Sequence, residues 1–137
     1  MIIFDTQVRV RYGETDQMGY VYYGKYAEYF EVGRTELIRS LGIPYRVVET
    51  KGIMMPVADL EVHYKKAARY DDLLTIRTIV REIPRSSFMT EYEVYNESGE
   101  LLVTGLVKLA FVNIARMMPV RAPDFILEAV QLHWKPS

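Results

Sequence analysis

The sequence predicts an α+β fold, an antiparallel five-stranded sheet with one long helix against its face, and three observations lead there. From Tyr26 onward the apolar or small residues Tyr26, Phe30, Gly33, Leu37 and Leu41 recur at the three-to-four-residue period of a helix face. Five other stretches alternate or run apolar at strand length. The strands that follow the helix are joined largely by tight turns, which suit antiparallel neighbours and leave no room for crossover helices.

The first strand is expected from Thr6 to Tyr12, where Val8, Val10 and Tyr12 alternate with Gln7, Arg9 and Arg11. A turn rich in Asp, Gly and Tyr leads from it into the long helix, Gly24 to Leu41, which at eighteen residues would be roughly 27 Å long. Lys25, Glu28, Thr35, Glu36 and Arg39 fall off the apolar stripe, so the helix is amphipathic. Gly42 and Pro44 stop it, because glycine accepts the left-handed cap conformation and proline cannot continue the ladder. Gly33 sits in mid-stripe at a cost of about 1 kcal/mol relative to alanine, which close approach to the sheet would offset.

Between Ile43 and Met55 the pattern breaks, and a loop with a short helical turn at Tyr45 to Glu49, able to cover a pocket, is expected. Alternation resumes at Val57, with Ala58, Leu60, Val62 and Tyr64 on one face and Asp59, Glu61, His63 and Lys65 on the other. Tyr70-Asp71-Asp72 turns into a third strand, Leu73 to Ile83, with Leu74, Ile76, Thr78 and Val80 on one side. After Pro84-Arg85-Ser86 comes a fourth, Ser87 to Asn96, and Asn96-Glu97-Ser98-Gly99 is hairpin chemistry leading into a fifth, Glu100 to Asn113. That last strand is apolar on both faces and so central or interfacial. Pro119 and Pro123 mark its exit, and Asp124 is expected to cap a closing helix running to about His133.

Composition narrows the function classes. The chain has 137 residues, 50% hydrophobic and 26% charged, which fits one domain over residues 1–137 with a sizeable core. A formal net charge of -1 argues against general nucleic-acid binding. Zero cysteines excludes disulfides, thiol nucleophiles and cysteine metal sites, and suits a reducing compartment. Met1 to Asp5 lacks the charged flank and length of a signal peptide, and no apolar run reaches a membrane span, so a cytoplasmic location is expected.

Chemistry points to the start of the long helix. None of Tyr22, Tyr23 and Gly24 carries the short oxygen-bearing side chain that usually satisfies the first helical amides. Free amides at the positive dipole end can hold an anion or a developing oxyanion, and the carboxylate of Asp16 lies a few residues upstream. On spacing alone, an ordinary Asp/Gly turn capped by water is the simpler alternative.

The string Tyr12-Gly13-Glu14-Thr15-Asp16-Gln17-Met18-Gly19-Tyr20-Val21-Tyr22-Tyr23-Gly24-Lys25-Tyr26, with Phe30-Glu31 and Arg34 behind it, resembles the signature of the 4-hydroxybenzoyl-CoA thioesterase type of hotdog-fold acyl-CoA thioesterases, which the Tol-Pal-associated acyl-CoA thioesterases share. Tyr70-Asp71-Asp72-Leu73-Leu74-Thr75-Ile76 matches a second block, and the resemblance covers most of the chain. It implies a hotdog fold, with the five-stranded sheet wrapped around one long central helix, and a thioester hydrolase needing no cofactor or metal. It also implies a homodimer with active sites at the subunit interface, often assembled further into a homotetramer.

By the same resemblance, Asp16 matches the carboxylate that either attacks the thioester carbonyl or activates water, and Tyr23 matches the residue whose backbone N–H polarises the thioester oxygen. Gly19 matches the turn glycine that admits substrate closely. Arg85 lies where relatives place basic residues against coenzyme A phosphates, and Lys65, with Lys66 and Arg69, would extend that patch; solvated strand and turn charges are the alternative for all four. Glu31 is expected to pair with Arg34 or Arg39. His63 and His133 read as an exposed strand residue and a tail residue, and the tyrosines as packing. Two other functions fit less well: a hotdog hydratase or dehydratase, which would want a histidine near the turn, and a silent module binding acyl-CoA or an acyl carrier protein. A thioesterase acting on acyl carrier protein is a closer variant of the leading expectation.

Overall fold

The computed structural model describes residues 1–136. Strands β1 (Ile2–Arg9), β3 (Val57–Tyr64), β4 (Leu73–Val80), β5 (Ser87–Tyr95) and β6 (Leu101–Ala110) form one antiparallel sheet in the order β1-β4-β5-β6-β3. Helix α1 (Lys25–Ser40) lies across its inner face. A shorter helix α2 (Tyr45–Thr50) follows α1, and α3 (Asp124–Leu132) closes the chain. Two-residue strands β2 (Ile53–Met54), β7 (Val112–Asn113) and β8 (Met118–Pro119) make a separate small sheet. The α+β class and the five-stranded antiparallel sheet are as expected.

Close packing of α1 on the sheet depends on two glycines. A Cβ on Gly33 would stand 2.5 Å from Thr78 Oγ1 and 3.0 Å from an Ile76 methyl, so only hydrogen lets the helix approach β4. Reciprocally, Gly105 on β6 leaves the space that the Phe30 ring fills, and Phe30 stacks on Tyr92 of β5 with centroids 4.3 Å apart. One helix thereby spans β4, β5 and β6. Leu37, Ile38, Leu74, Ile76, Phe88, Leu109 and Phe111 complete a core sealed from solvent.

Several boundaries move. Strand β1 begins at Ile2, with Ile2, Phe4, Thr6 and Val8 turned inward, and ends at Arg9; Tyr12 leaves the expected buried face and is 78% exposed, because the chain turns at Arg11 into one 3₁₀ turn, Tyr12–Glu14. The third strand stops at Val80 rather than Ile83. The fifth divides at Phe111: Ala110 N–H donates to the carbonyl of Pro56, and beyond that proline, which has no N–H to return, the ladder ends and Val112–Asn113 pair instead with Ile53–Met54. Strand β6 is interior but not central, since β5 holds the middle of the sheet. Asp124 is the first residue of α3 and makes no cap; Pro123 precedes it in extended conformation.

The clearest departure is β3. Its alternation predicts one buried face, yet as the edge strand it leaves Leu60 43% and Tyr64 53% exposed, because no described strand lies beyond it in the sheet. The Asn96–Gly99 hairpin forms as expected, with Gly99 at φ 80° and Asn96 Oδ1 accepting from Ser98 N and Glu100 N. Helix α2 occupies the short helical turn expected after α1.

Candidate active site

The turn before α1 is held by backbone–backbone hydrogen bonds together with backbone amides donated to the Glu14 and Asp16 carboxylates. Arg11 is extended, and the next three residues close a 3₁₀ turn in which Glu14 Oε1 accepts the Arg11 N–H at 2.8 Å. Thr15 pairs with Val21, and Asp16 N–H donates to the Tyr20 carbonyl at 2.8 Å, forming a small loop. Within it Asp16 Oδ1 accepts from Met18 N at 2.9 Å and Tyr20 N at 3.2 Å, while Gly19 takes φ 80°, a conformation costly for any residue with a Cβ. Asp16 Oδ2 accepts no hydrogen bond among the described residues, and the side chain is exposed. The carboxylate therefore serves the turn with one oxygen and offers the other.

The loop is tied to the segment before β4, where Tyr20 bridges to Arg69, and back onto its own turn. Val21 N–H donates to the Ala68 carbonyl, and Tyr22 N–H to the Glu14 carbonyl at 2.9 Å. Helix α1 then starts at Lys25 with Gly24 as N-cap and no side-chain cap. The N–H groups of Tyr23 and Gly24 donate to no acceptor among the described residues, and they sit where the helix dipole is positive. A Cβ on Gly24 would stand 2.7 Å from a carbon of the exposed Tyr22 ring, so a larger residue here displaces that ring from the helix start.

Asp16, Tyr23 and Lys65 line one cleft of about 260 Å³ together with Tyr20, Tyr26 and Tyr64. Gly19 sits beside it in the loop. Tyr64, on β3, donates its hydroxyl to the Tyr23 carbonyl at 2.9 Å. Alternation puts Tyr64 only on a strand face, and no spacing links it to a residue 41 positions earlier. Burial raises the Tyr64 phenol above its ordinary value and pushes Tyr26 up to about 12, so both are neutral donors near pH 7.

Of the basic residues, Lys65 and Lys66 both line the Asp16 cleft, and Arg85 does not. Lys66 ion-pairs with Glu100, whose carboxyl it holds below the usual range, and the Arg69 guanidinium rests over the Tyr20 ring at 5.1 Å. Arg85 lies in a different cleft, about 660 Å³, with Arg81, Ser86 and Trp134. That cleft belongs to the far end of the sheet, since β5 begins at Ser87 opposite Ala110 while Tyr64, at the near end, faces Val103. Within one chain Arg85 and Asp16 do not share a cavity.

Glu31 does not form the expected pair: Arg39 pairs with Glu36, and Arg34 turns inward, 7% exposed, beside the hydroxyls of Tyr45 and Tyr92. Helical spacing put Arg34 within reach of Glu31, but α2 and β5 close over it instead. His63 is an exposed strand residue and His133 an exposed tail residue, as expected. Among the described residues, no three His, Cys, Asp or Glu side chains gather as a metal site, and no helix is long and apolar enough to cross a membrane.

Comparison with known proteins places these features in a family. The thioesterase superfamily model matches residues 18–103. YneP of Bacillus subtilis (strain 168) is 39% identical over 103 residues, 75% of each chain. The acyl-CoA thioesterase YbgC of Haemophilus influenzae is 34% identical over 127 residues, covering 92% of this chain and 93% of its own. Among solved structures, the DHNA-CoA thioesterase of Staphylococcus aureus superposes with a TM-score of 0.88 at 38% identity, over 96% of this chain and 93% of that one.

Proposed function

The chain belongs to the thioesterase superfamily and is a hotdog-fold thioester hydrolase, and from that premise we propose that it cleaves acyl-CoA with the Asp16 carboxylate and the Tyr23 backbone N–H. The observation that carries this is the shared cleft: a carboxylate with one free oxygen stands beside an uncapped helix start. A thioester seated there points its carbonyl oxygen at the Tyr23 amide. As the carbonyl carbon becomes tetrahedral, negative charge grows on that oxygen, and a preorganised amide reinforced by the helix dipole stabilises it by about 3–4 kcal/mol.

Asp16 Oδ2 then acts in one of two ways. As nucleophile it bonds to the carbonyl carbon, the C–S bond breaks, coenzyme A leaves as thiolate, and water hydrolyses the mixed anhydride. As general base it takes a proton from water, whose oxygen forms the new bond instead. Thiolate is a good leaving group, so either route proceeds without further activation. Gly19 gives the acyl chain access to the loop, and Lys65 offers a cation at the mouth for the carrier's phosphates.

We further propose that two copies pair through the β3 edge, with the 137-residue chain as one domain in the cytoplasm. Antiparallel pairing along β3 sets the Val57 end of one copy against the Tyr64 end of the other. Because Arg85 belongs to the Val57 end, such pairing carries it toward the Asp16 cleft of the second copy, where it supplies a phosphate contact.

Free-thiol release from short, long and aromatic acyl-CoA substrates tests the reading. Asp16→Asn, with oligomeric state matched to wild type, is expected to lose about 10²–10⁴-fold in kcat. Turnover that survives the substitution removes Asp16 from the mechanism. Single turnover in water bearing heavy oxygen separates the routes, since label in the Asp16 side chain marks the nucleophile.

A further inference from the structure

One buried tyrosine in the site region has a hydroxyl that the chemistry above does not use. Tyr29 lies one turn into α1, with its ring 2% exposed and edge-on to Tyr26 at 5.7 Å. Its hydroxyl donates to Glu14 Oε1 at 3.2 Å, the oxygen that also accepts the Arg11 N–H at 2.8 Å. Burial, then the Glu14 charge, raises the Tyr29 phenol far above its ordinary value, so it remains a donor wherever the enzyme is folded.

Glu14 touches both halves of the site through separate groups. Its side chain holds Arg11 and Tyr29, fastening the 3₁₀ turn to the body of the helix. Its carbonyl accepts the Tyr22 N–H at 2.9 Å, fixing the peptide that precedes Tyr23. Asp16 follows Glu14 by two residues, and its loop otherwise reaches the fold only through Tyr20 and Val21, by a bridge to Arg69 and a bond to Ala68. Val21 is the loop's one buried apolar residue, and Asp16, Gln17, Met18 and Gly19 are all exposed.

We propose that Glu14 and Tyr29 are positioning residues, a brace between the Asp16 loop and helix α1 that sets the distance from the Asp16 carboxylate to the Tyr23 amide. The inference rests on the catalytic reading of Asp16 and Tyr23. It differs from a merely structural role in what it requires of the kinetics. A misplaced carboxylate loses transition-state stabilisation and leaves coenzyme A binding intact, so kcat falls and KM does not.

The test uses Tyr29→Phe, which deletes the hydroxyl and keeps the packed ring, with Glu14→Ala, Glu14→Gln and Asp16→Asn alongside. Amide hydrogen exchange across residues 14–22 is measured with kcat and KM for the best acyl-CoA substrate. Tyr29→Phe and Glu14→Ala are expected to lower kcat about 10- to 100-fold, the scale of an ångström of misplacement, with KM within about two-fold and faster exchange at Met18 and Tyr20. Glu14→Gln retains an acceptor and is expected to recover most of what Glu14→Ala loses. Inactive Asp16→Asn with unchanged kcat in folded Tyr29→Phe overturns the brace alone, as does Glu14→Gln faring no better than Glu14→Ala. Full activity in Asp16→Asn overturns the catalytic reading and the brace with it.

Discussion

Asp16 divides its two oxygens. Oδ1 closes the loop against Met18 and Tyr20, and this is why a short acid followed by Gly19 stands here; Oδ2 accepts no hydrogen bond among the described residues and is the atom to which we assign the proposed chemistry. The amide of Asp16→Asn keeps an acceptor oxygen, so that variant is expected to unfold close to wild type while losing activity, a split that thermal melting beside thiol release reads directly. Gly33 is the converse, a residue that matters for what it lacks. Gly33→Ala forces a methyl against Thr78 Oγ1 and Ile76, and overpacking of this kind is expected to cost about 1–3 kcal/mol in denaturant unfolding despite alanine's better helix propensity.

Tyr26 gives a pH signature at the same scale. Its phenol ordinarily titrates near 10 and is pushed by burial to about 12, so the folded chain keeps the proton after the unfolded chain has lost it. Stability from this group is flat below pH 10, falls as pH rises from 10 to 12, and levels off above. Tyr26→Phe is expected to show a shallower loss of denaturation midpoint between pH 9 and 11.5 than wild type.

At the scale of elements, local chemistry decides turns and helix ends, and those were the most legible. Gly42 at φ 86° stops α1 where its sequence says, and Asn96 with Gly99 turns β5 into β6. Asn96 Oδ1 accepts two backbone amides and Nδ2 donates to Glu100, so Asn96→Ala is expected to lose about 1–2 kcal/mol, measurable by urea unfolding. The start of β1 and the small sheet of β2, β7 and β8 were not legible. Met1 to Phe4 is an apolar run without alternation, and two-residue strands have no period to read.

For the whole molecule, β3 is the unfinished part. A long edge strand with Val57, Leu60 and Tyr64 exposed invites pairing, and edges of this kind are ordinarily covered or charged. In the pairing we propose, a second copy meets that need and carries Arg85 toward the Asp16 cleft. Leu60→Lys is expected to leave the chain folded but shift sedimentation toward monomer, with thiol release falling as the dimer is lost. Persistence of the wild-type assembly in that variant would place the interface elsewhere.

By itself the sequence determined the class of the fold, the long helix and its limits, the hairpin, and a carboxylate placed just before an uncapped helix start. These follow from neighbours along the chain: period, turn residues and caps are short-range facts. Only the tertiary structure decided that Tyr64 holds the Tyr23 carbonyl, that Tyr29 reaches back to Glu14, that Arg34 turns away from Glu31, and that Arg85 and Asp16 stand at opposite ends of one sheet. Each joins residues that strand order and helix direction bring together or hold apart. Spacing along a chain carries no record of that, because the physical partner of a side chain is whatever packing leaves beside it.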